Sequence, residues 1–234
     1  MLSNNTSITP IGILSSPFKQ KFSIPRQPRL APAATGTILL QPNYDSPDMV
    51  RDLETFSHLW LVFGFHENTP QGWQPLVRPP RLGGNKKTGV LATRSTFRPN
   101  GLGLSAVKFE RVIIENNRAS VVVSGIDLLD GTPIYDIKPY IAYSDAIEAQ
   151  CGFAPDAPTL SRVEFSPLAI EFVSEHRTPS GFMDLISQVL AQDPRPAYKK
   201  KKIDAKIYAV HLYDYDVHWQ VIDDIIVVTN IFSI

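Results

Sequence analysis

Cysteine is nearly absent: Cys151 is the only one in 234 residues, so an intramolecular disulfide is excluded and no Cys/His cluster has the spacing of a structural zinc site. A lone cysteine is more often a small hydrophobe than a nucleophile, and it is assigned no chemistry. No run of about 18 apolar residues is present to span a bilayer. The first ten residues, MLSNNTSITP, lack the basic start and apolar stretch of a secretory signal. A cytoplasmic protein without membrane or metal is expected. Also missing are a glycine-rich dinucleotide fingerprint, a phosphate-cradling loop, a nucleophile elbow and a zinc-binding helix motif, and Gly101-Leu102-Gly103 is too short to count as any of them. These absences weigh against a doubly wound methyltransferase or dehydrogenase.

Net charge is absent too, with 23 Lys and Arg against 23 Asp and Glu, which argues against a protein that coats duplex nucleic acid by bulk electrostatics. The charges are nonetheless segregated. Residues 1–44 contain no acid, while Lys19, Lys21, Arg26 and Arg29 are basic. Residues 68–109 again contain none, against Arg78, Arg81, Lys86, Lys87, Arg94, Arg98 and Lys108. These stretches make either a positive face, if they converge, or a set of solvated loops.

What is plentiful is proline, with 20 residues, and short apolar runs between turn residues, which favour a β-rich body over a helical bundle. Strands are expected over 8–15, 36–40, 59–66, 89–93, 104–114 and 119–128, with a hairpin turn at 115–118 and a short helix over 48–56. Six alternating strands with little helix to cover them predict a sheet closed on itself, a mainly β fold with a barrel. The stretch 152–158 reads as a connection, so that a barrel domain over 1–148 is followed by a small α+β domain over 149–234. There 168–173 is expected to be strand, 180–191 an amphipathic helix, and 207–215 and 221–229 paired strands. The turn 193–198 and the run Lys199, Lys200, Lys201, Lys202 lie between helix and strands.

Three segments are dense in polar groups on a stiff backbone. Pro25-Arg26-Gln27-Pro28 is either a ligand loop or a rigid turn. His66, with Glu67 after it, closes an almost wholly apolar strand, as a core histidine or as the marker of a pocket. In the segment 93–105, Arg94 and Arg98 flank Phe97 ahead of a Pro-Asn turn, which suits forked recognition of a carboxylate or phosphate. Downstream, 127–133 sets Asp127 and Asp130 at a turn, and 134–140 adds Asp136 with Tyr135 and Tyr140.

Taken in order, PRQP, DLETFSHLWLVFGFH, the RPP-x-x-GG stretch 78–84, GVLATRSTFRPN-x-x-GLS and DLLDGTPIYDIKPY resemble the signature blocks of the tRNA N6-threonylcarbamoyladenosine methyltransferase family. DPRPAY is similar to the C-terminal part of its longer bacterial members. The family pattern has prolines where Thr96 and Gly101 stand here, and both arginines are kept. The resemblance implies a single-sheet β-barrel catalytic domain, a small C-terminal α+β domain, a homodimer, S-adenosylmethionine as cofactor, and as substrate a threonylcarbamoylated adenosine in the tRNA anticodon loop. It carries cofactor contacts onto Arg26, Gln27, Pro28, His66, Glu67, Arg94, Leu104, Asp127, Leu128, Leu129 and Asp130. N6 is a poor nucleophile, and Asp136, with Tyr135 or Tyr140 nearby, is the candidate for removing its proton; pinning the 138–139 turn explains the same acid equally well. Lys86, Lys87, Arg98, Lys199 and Lys200, with the rest of the lysine run, suit RNA phosphates. A small-molecule methyltransferase of the same fold and a non-catalytic RNA-binding module are the alternatives.

Overall fold

The computed structural model describes residues 7–196, 199–200 and 206–234. Ala197, Tyr198, Lys201 and Lys202 of the turn and lysine run lie outside them.

The barrel strands are β1 (Gly12–Ser15), β2 (Thr35–Leu40), β3 (His58–Gly64), β6 (Leu102–Glu115), β7 (Arg118–Ser124) and β8 (Thr132–Pro139), closed in the order β1-β2-β7-β6-β3-β8. Burial alternates along β1, β2 and β3, as period-2 strands around a filled interior do, whereas β7 is buried on both faces from Val121 to Ser124 and β6 from Ser105 to Val107. Leu14, Ile38, Leu59, Leu61, Val107, Val121, Val123 and Ile134 point inward and are fully buried. Between β3 and β6 runs an excursion that carries only the two-residue strands β4 (Leu76–Val77) and β5 (Thr88–Gly89) and short 3-10 turns.

All neighbours in the barrel are antiparallel. Since β1, β3 and β7 therefore run one way and β2, β6 and β8 the other, the connections 16–34, 65–101 and 125–131 all emerge at one end. The segments 41–57 and 140 onward, and the tight turn at Asn116-Asn117, with φ of 51° and 61°, lie at the other.

After α1 (Ala142–Asp145) and the coil that follows, a second sheet forms from β10 (Tyr208–Leu212), β11 (Tyr215–Ile222), β12 (Ile225–Ser233) and β9 (Val163–Phe165), with β9 parallel to β12. Two helices pack on it, α2 (Pro167–Glu175) and α3 (Phe182–Leu190). α3 buries Phe182, Leu185, Ile186, Val189 and Leu190, the one-sided burial of the amphipathic helix expected over 180–191. This unit is fastened to the first end loop of the barrel: Phe18 bridges to Leu212, and the Ala33 N–H donates to Gln188 Oε1 at 2.7 Å. Buried residues of both units form one continuous apolar cluster.

Four local expectations are corrected. The segment 168–173 is helix because Ser166 caps it, its Oγ accepting the Ala169 N–H, and Pro167 takes the first helical position. The segment 89–93 is a 3-10 turn, Val90–Ala92, closed by the Thr93 hydroxyl on the Val90 carbonyl; the sixth barrel strand is β8. The helix at 48–56 is two 3-10 turns, Pro47–Val50 and Leu53–Thr55, separated by Asp52 at φ 64°. The pair 207–215 and 221–229 is three strands, because Asp223 and Asp224 both take positive φ and turn the chain inside the second segment.

Candidate active site at one end of the barrel

The three connections at this barrel end contain Arg26, Gln27 and Pro28, then His66, Glu67, Arg94, Lys86, Lys87 and Arg98, then Asp127, Leu128, Leu129 and Asp130. The Arg29 N–H donates to the Gly125 carbonyl at 2.7 Å, which ties the PRQP loop to the end of β7. Arg94 Nη1 donates to Gln27 Oε1, joining the long excursion to the same loop.

Asp127 is the central acid. It is largely withdrawn from water, its Oδ1 accepts the Ser105 hydroxyl at 2.7 Å, and Ser105 is itself buried inside β6. Burial pushes the carboxyl up to about 6, against the pull of the Ser105 bond and the nearby Arg94 guanidinium. Ser105 was missed in the sequence: a single hydroxyl in an apolar strand acquires meaning only from the register that sets it under the 125–131 loop. Asp130 is occupied differently. Its Oδ1 accepts the Ser16 N–H at 2.7 Å and its Oδ2 pairs with Lys19 at 2.8 Å, while the Leu128 carbonyl accepts the Ser16 hydroxyl at 2.8 Å. Leu129 closes the turn through its carbonyl to the Thr132 hydroxyl. His66 is outside the buried core; its Nε2 lies 3.9 Å from where a Cβ on Gly131 would stand, at the strand end. The Glu67 carbonyl accepts Lys21 Nζ at 2.9 Å.

Leu104 projects outward from β6 and is 56 % exposed. It pairs with Val62, which pairs with Asp136 on the other side, so Leu104 and Asp136 share one outer face about 10 Å apart. Asp136 is exposed, and its Oδ1 accepts the Ile137 N–H at 2.9 Å. A β-bulge opposite Val62 and Phe63 leaves Tyr135 unpaired, and its ring lies over Gly64, 2.9 Å from where a Cβ would be. Tyr140 is not brought to this site. It lies four residues further along, about 13 Å, where its ring packs on His58 and Trp60.

Beside the PRQP loop the C-terminal unit adds a charged cluster. Asp193 accepts two bonds from the buried Arg195, at 2.9 and 3.0 Å, and its carbonyl accepts Lys200 Nζ. Burial raises the Asp193 carboxyl, but Arg195 and Lys200 outweigh it and hold it below its ordinary value. Burial, then the neighbouring Arg81 guanidinium, lowers Arg26. Arg98 donates to the Thr93 carbonyl at 2.7 Å and braces its own loop; Lys86 and Lys87 are exposed on theirs. Lys199 lies over the Tyr208 ring at 5.9 Å.

The donor set suits an amino-acid-bearing nucleoside. Arg94 is exposed and, among the described residues, within ion-pair distance of no carboxylate, so its fork is available to an anionic ligand group. Asp127 offers a carboxylate to an ammonium or a hydroxyl, and Leu104 offers apolar area to a ring. Of the described residues, none form a cluster of three or more potential metal ligands.

The closed barrel, with polar loop residues gathered at one end and a small α+β unit joined to it, is that of a β-barrel S-adenosylmethionine-dependent methyltransferase. The N-terminal domain of the tRNA-methyltransferase O family matches residues 13–146, and that family's C-terminal domain matches 158–234. The chain belongs to the tRNA-methyltransferase O family. It is 45 % identical over 217 residues to the Escherichia coli tRNA (adenine(37)-N6)-methyltransferase, covering 91 % of this chain and 92 % of that one. It is 50 % identical over 216 residues, 91 % of each chain, to a putative S-adenosylmethionine-dependent methyltransferase of Pseudomonas aeruginosa. The crystal structure of TrmO from Pseudomonas aeruginosa superposes with a TM-score of 0.80 at 41 % identity, over 98 % of this chain and 99 % of that one.

Proposed function

We propose that this enzyme methylates N6 of a threonylcarbamoylated adenosine beside the anticodon of tRNA, with S-adenosylmethionine as methyl donor. The observation that carries the reading is the convergence of Gln27, Arg94, Asp127 and Ser105 at one barrel end. Arg94 binds the donor's carboxylate, Gln27 holds the guanidinium in place, and Asp127, fixed by Ser105, takes an ammonium or ribose hydroxyl. His66, Glu67 and the 128–130 backbone complete the lining. When bound, S-adenosylmethionine supplies a methyl group on a positively charged sulfur. The chain's own tasks are to align the acceptor nitrogen and to receive its proton. Asp136, on the outer face shared with Leu104, is the group assigned to that proton. Tyr135 is the phenol nearer the barrel end that holds the ligand residues; Tyr140 has no part in this site within one chain.

Lys86, Lys87, Arg98, Lys199 and Lys200 contact RNA phosphates. The barrel domain, 1–148, performs the chemistry and the α+β domain, 149–234, buttresses its first loop. Two chains pair as a homodimer in the cytoplasm.

Transfer of label from S-adenosylmethionine to total tRNA with and without its threonylcarbamoyl group tests the reading, with Arg94→Ala as control. Incorporation that requires the prior modification and falls at least about a hundredfold in the variant is expected, the loss of a charge-assisted bond pair being worth about 3 kcal/mol. Cofactor binding without incorporation into either tRNA would favour a small-molecule acceptor.

A further inference from the structure

The excursion 65–101 contains a surface that the cofactor does not explain. Arg78, Arg81, Lys86, Lys87 and Arg98 all lie on it, and no acid occurs between Glu67 and Glu110. Among the described residues none of these cations forms an ion pair. Arg81 and Arg98 donate to carbonyls, those of Asp156 and Thr93, and so keep their full positive charge. Cations without a paired carboxylate on one loop create a positive potential that attracts an anionic partner.

On the same loop stands Trp73, whose indole is 53 % exposed. It differs from the other two tryptophans: Trp219 is fully buried, and Trp60 donates to Asp145 Oδ2 at 2.9 Å. The backbone beside Trp73 is fixed. The Gln74 N–H donates to the Phe97 carbonyl at 3.2 Å, the Val90 N–H to the Pro75 carbonyl at 3.0 Å, and β4 pairs with β5. Trp73 is thereby held next to the strand of loop that carries Arg94 and Arg98. An exposed indole on a hydrogen-bonded stretch of backbone, on a loop of unpaired cations, is the combination that single-stranded nucleic acid uses, with stacking for its bases and positive charge for its phosphates.

We propose that Trp73 is a stacking platform for an unpaired base of the RNA substrate, seated between the phosphate contacts of the arm. The inference rests on the tRNA reading above and adds a residue that grips a base rather than the backbone.

The test is a titration of the full-length protein with a synthetic anticodon stem-loop RNA and, separately, with a duplex RNA of equal charge, followed by tryptophan fluorescence and by filter binding. Quenching by the stem-loop but not by the duplex is expected. The quenching disappears in Trp73→Phe, which retains a ring and most of the affinity. Trp73→Ala binds the stem-loop about tenfold more weakly, raises KM for tRNA by a similar factor, and leaves the affinity for S-adenosylmethionine unchanged. Wild-type stem-loop affinity in Trp73→Ala, or equal quenching by duplex and stem-loop, would overturn the stacking role while leaving the substrate reading intact. A Trp73 signal that changes with protein concentration in the absence of RNA would instead assign the indole to contact between chains. Failure of the wild-type protein to bind either RNA would overturn both readings.

Discussion

Burial moves the Asp127 carboxyl up to about 6, and the Ser105 hydroxyl moves it back part of the way. An acid whose folded pKa lies above its unfolded one is stabilising to the fold while protonated; that contribution is complete below about 4 and lost as pH rises through 6. Asp127→Asn keeps the shape and removes the ionisation. Its melting temperature is expected to match the wild type near pH 4 and to exceed it above pH 7, as thermal unfolding across pH will show. Cofactor affinity has the opposite sign, because only the ionised form attracts an ammonium: wild-type binding strengthens as pH rises through 6, and the step is absent in the asparagine variant. Ser105→Ala removes a bond that favours the carboxylate, so the midpoint of that step, read by calorimetric titration, moves above 6. An unmoved midpoint would detach Ser105 from the site.

At the scale of elements, the decisive contact is β6 against β3. A Cβ on Gly103 would stand 2.3 Å from Phe63 Cζ and 2.9 Å from Phe65 Cζ, and the two rings meet edge to face at 5.2 Å. Gly103→Ala must therefore displace a buried ring, and a loss of about 1–3 kcal/mol in urea unfolding is expected; a neutral result would mean that Phe63 repacks freely. Gly101, where the family pattern has proline, sits at φ 59°, a value closed to proline, so the substitution and the local path of the chain go together. These elements were unequally legible. The strand β3 declared itself by alternation and β6 and β7 by apolar, β-branched runs such as Val121-Val122-Val123, buried on both faces. β8 did not: Pro133, Asp136 and Pro139 interrupt it, Tyr135 is bulged out, and only Thr132 and Ile134 are buried. Residues 168–173 are apolar enough to read as strand, and the helix was written in the Ser-Pro pair before them. The PRQP, 93–105 and 127–133 blocks were legible as a resemblance, but their meeting at one end depends on strand direction, which no local pattern encodes. Ser105 and the separation of Tyr140 from Asp136 belong to that second kind of information.

For the whole molecule, a net charge of zero conceals an uneven distribution with a consequence for binding. The acids lie largely in the segments 45–67 and 110–175 and in the C-terminal unit, whereas the acid-free stretches supply the connections 16–34 and 68–101 at the barrel end where Gln27, Arg94 and Asp127 meet. The C-terminal unit reinforces this arrangement, since Arg195 and Lys200 share the one carboxylate of Asp193 with Arg26 and Arg81 in their neighbourhood. A polyanion is thus drawn to one end of a neutral body, and its affinity should fall steeply with salt even though the protein as a whole is uncharged. Each phosphate contact contributes about 0.7 to 0.9 to the slope of log affinity against log salt. Reversing Lys86 and Lys87 together to glutamate removes two such contacts, so the slope for tRNA should flatten by about 1.5, with cofactor binding and melting temperature unchanged. Filter binding between low and moderate salt gives that slope directly. If the affinity dropped uniformly with the slope preserved, those two lysines would be acting on the fold of the arm and not on phosphates, and the anionic partner would have to be held by Arg78, Arg81 and Arg98 instead.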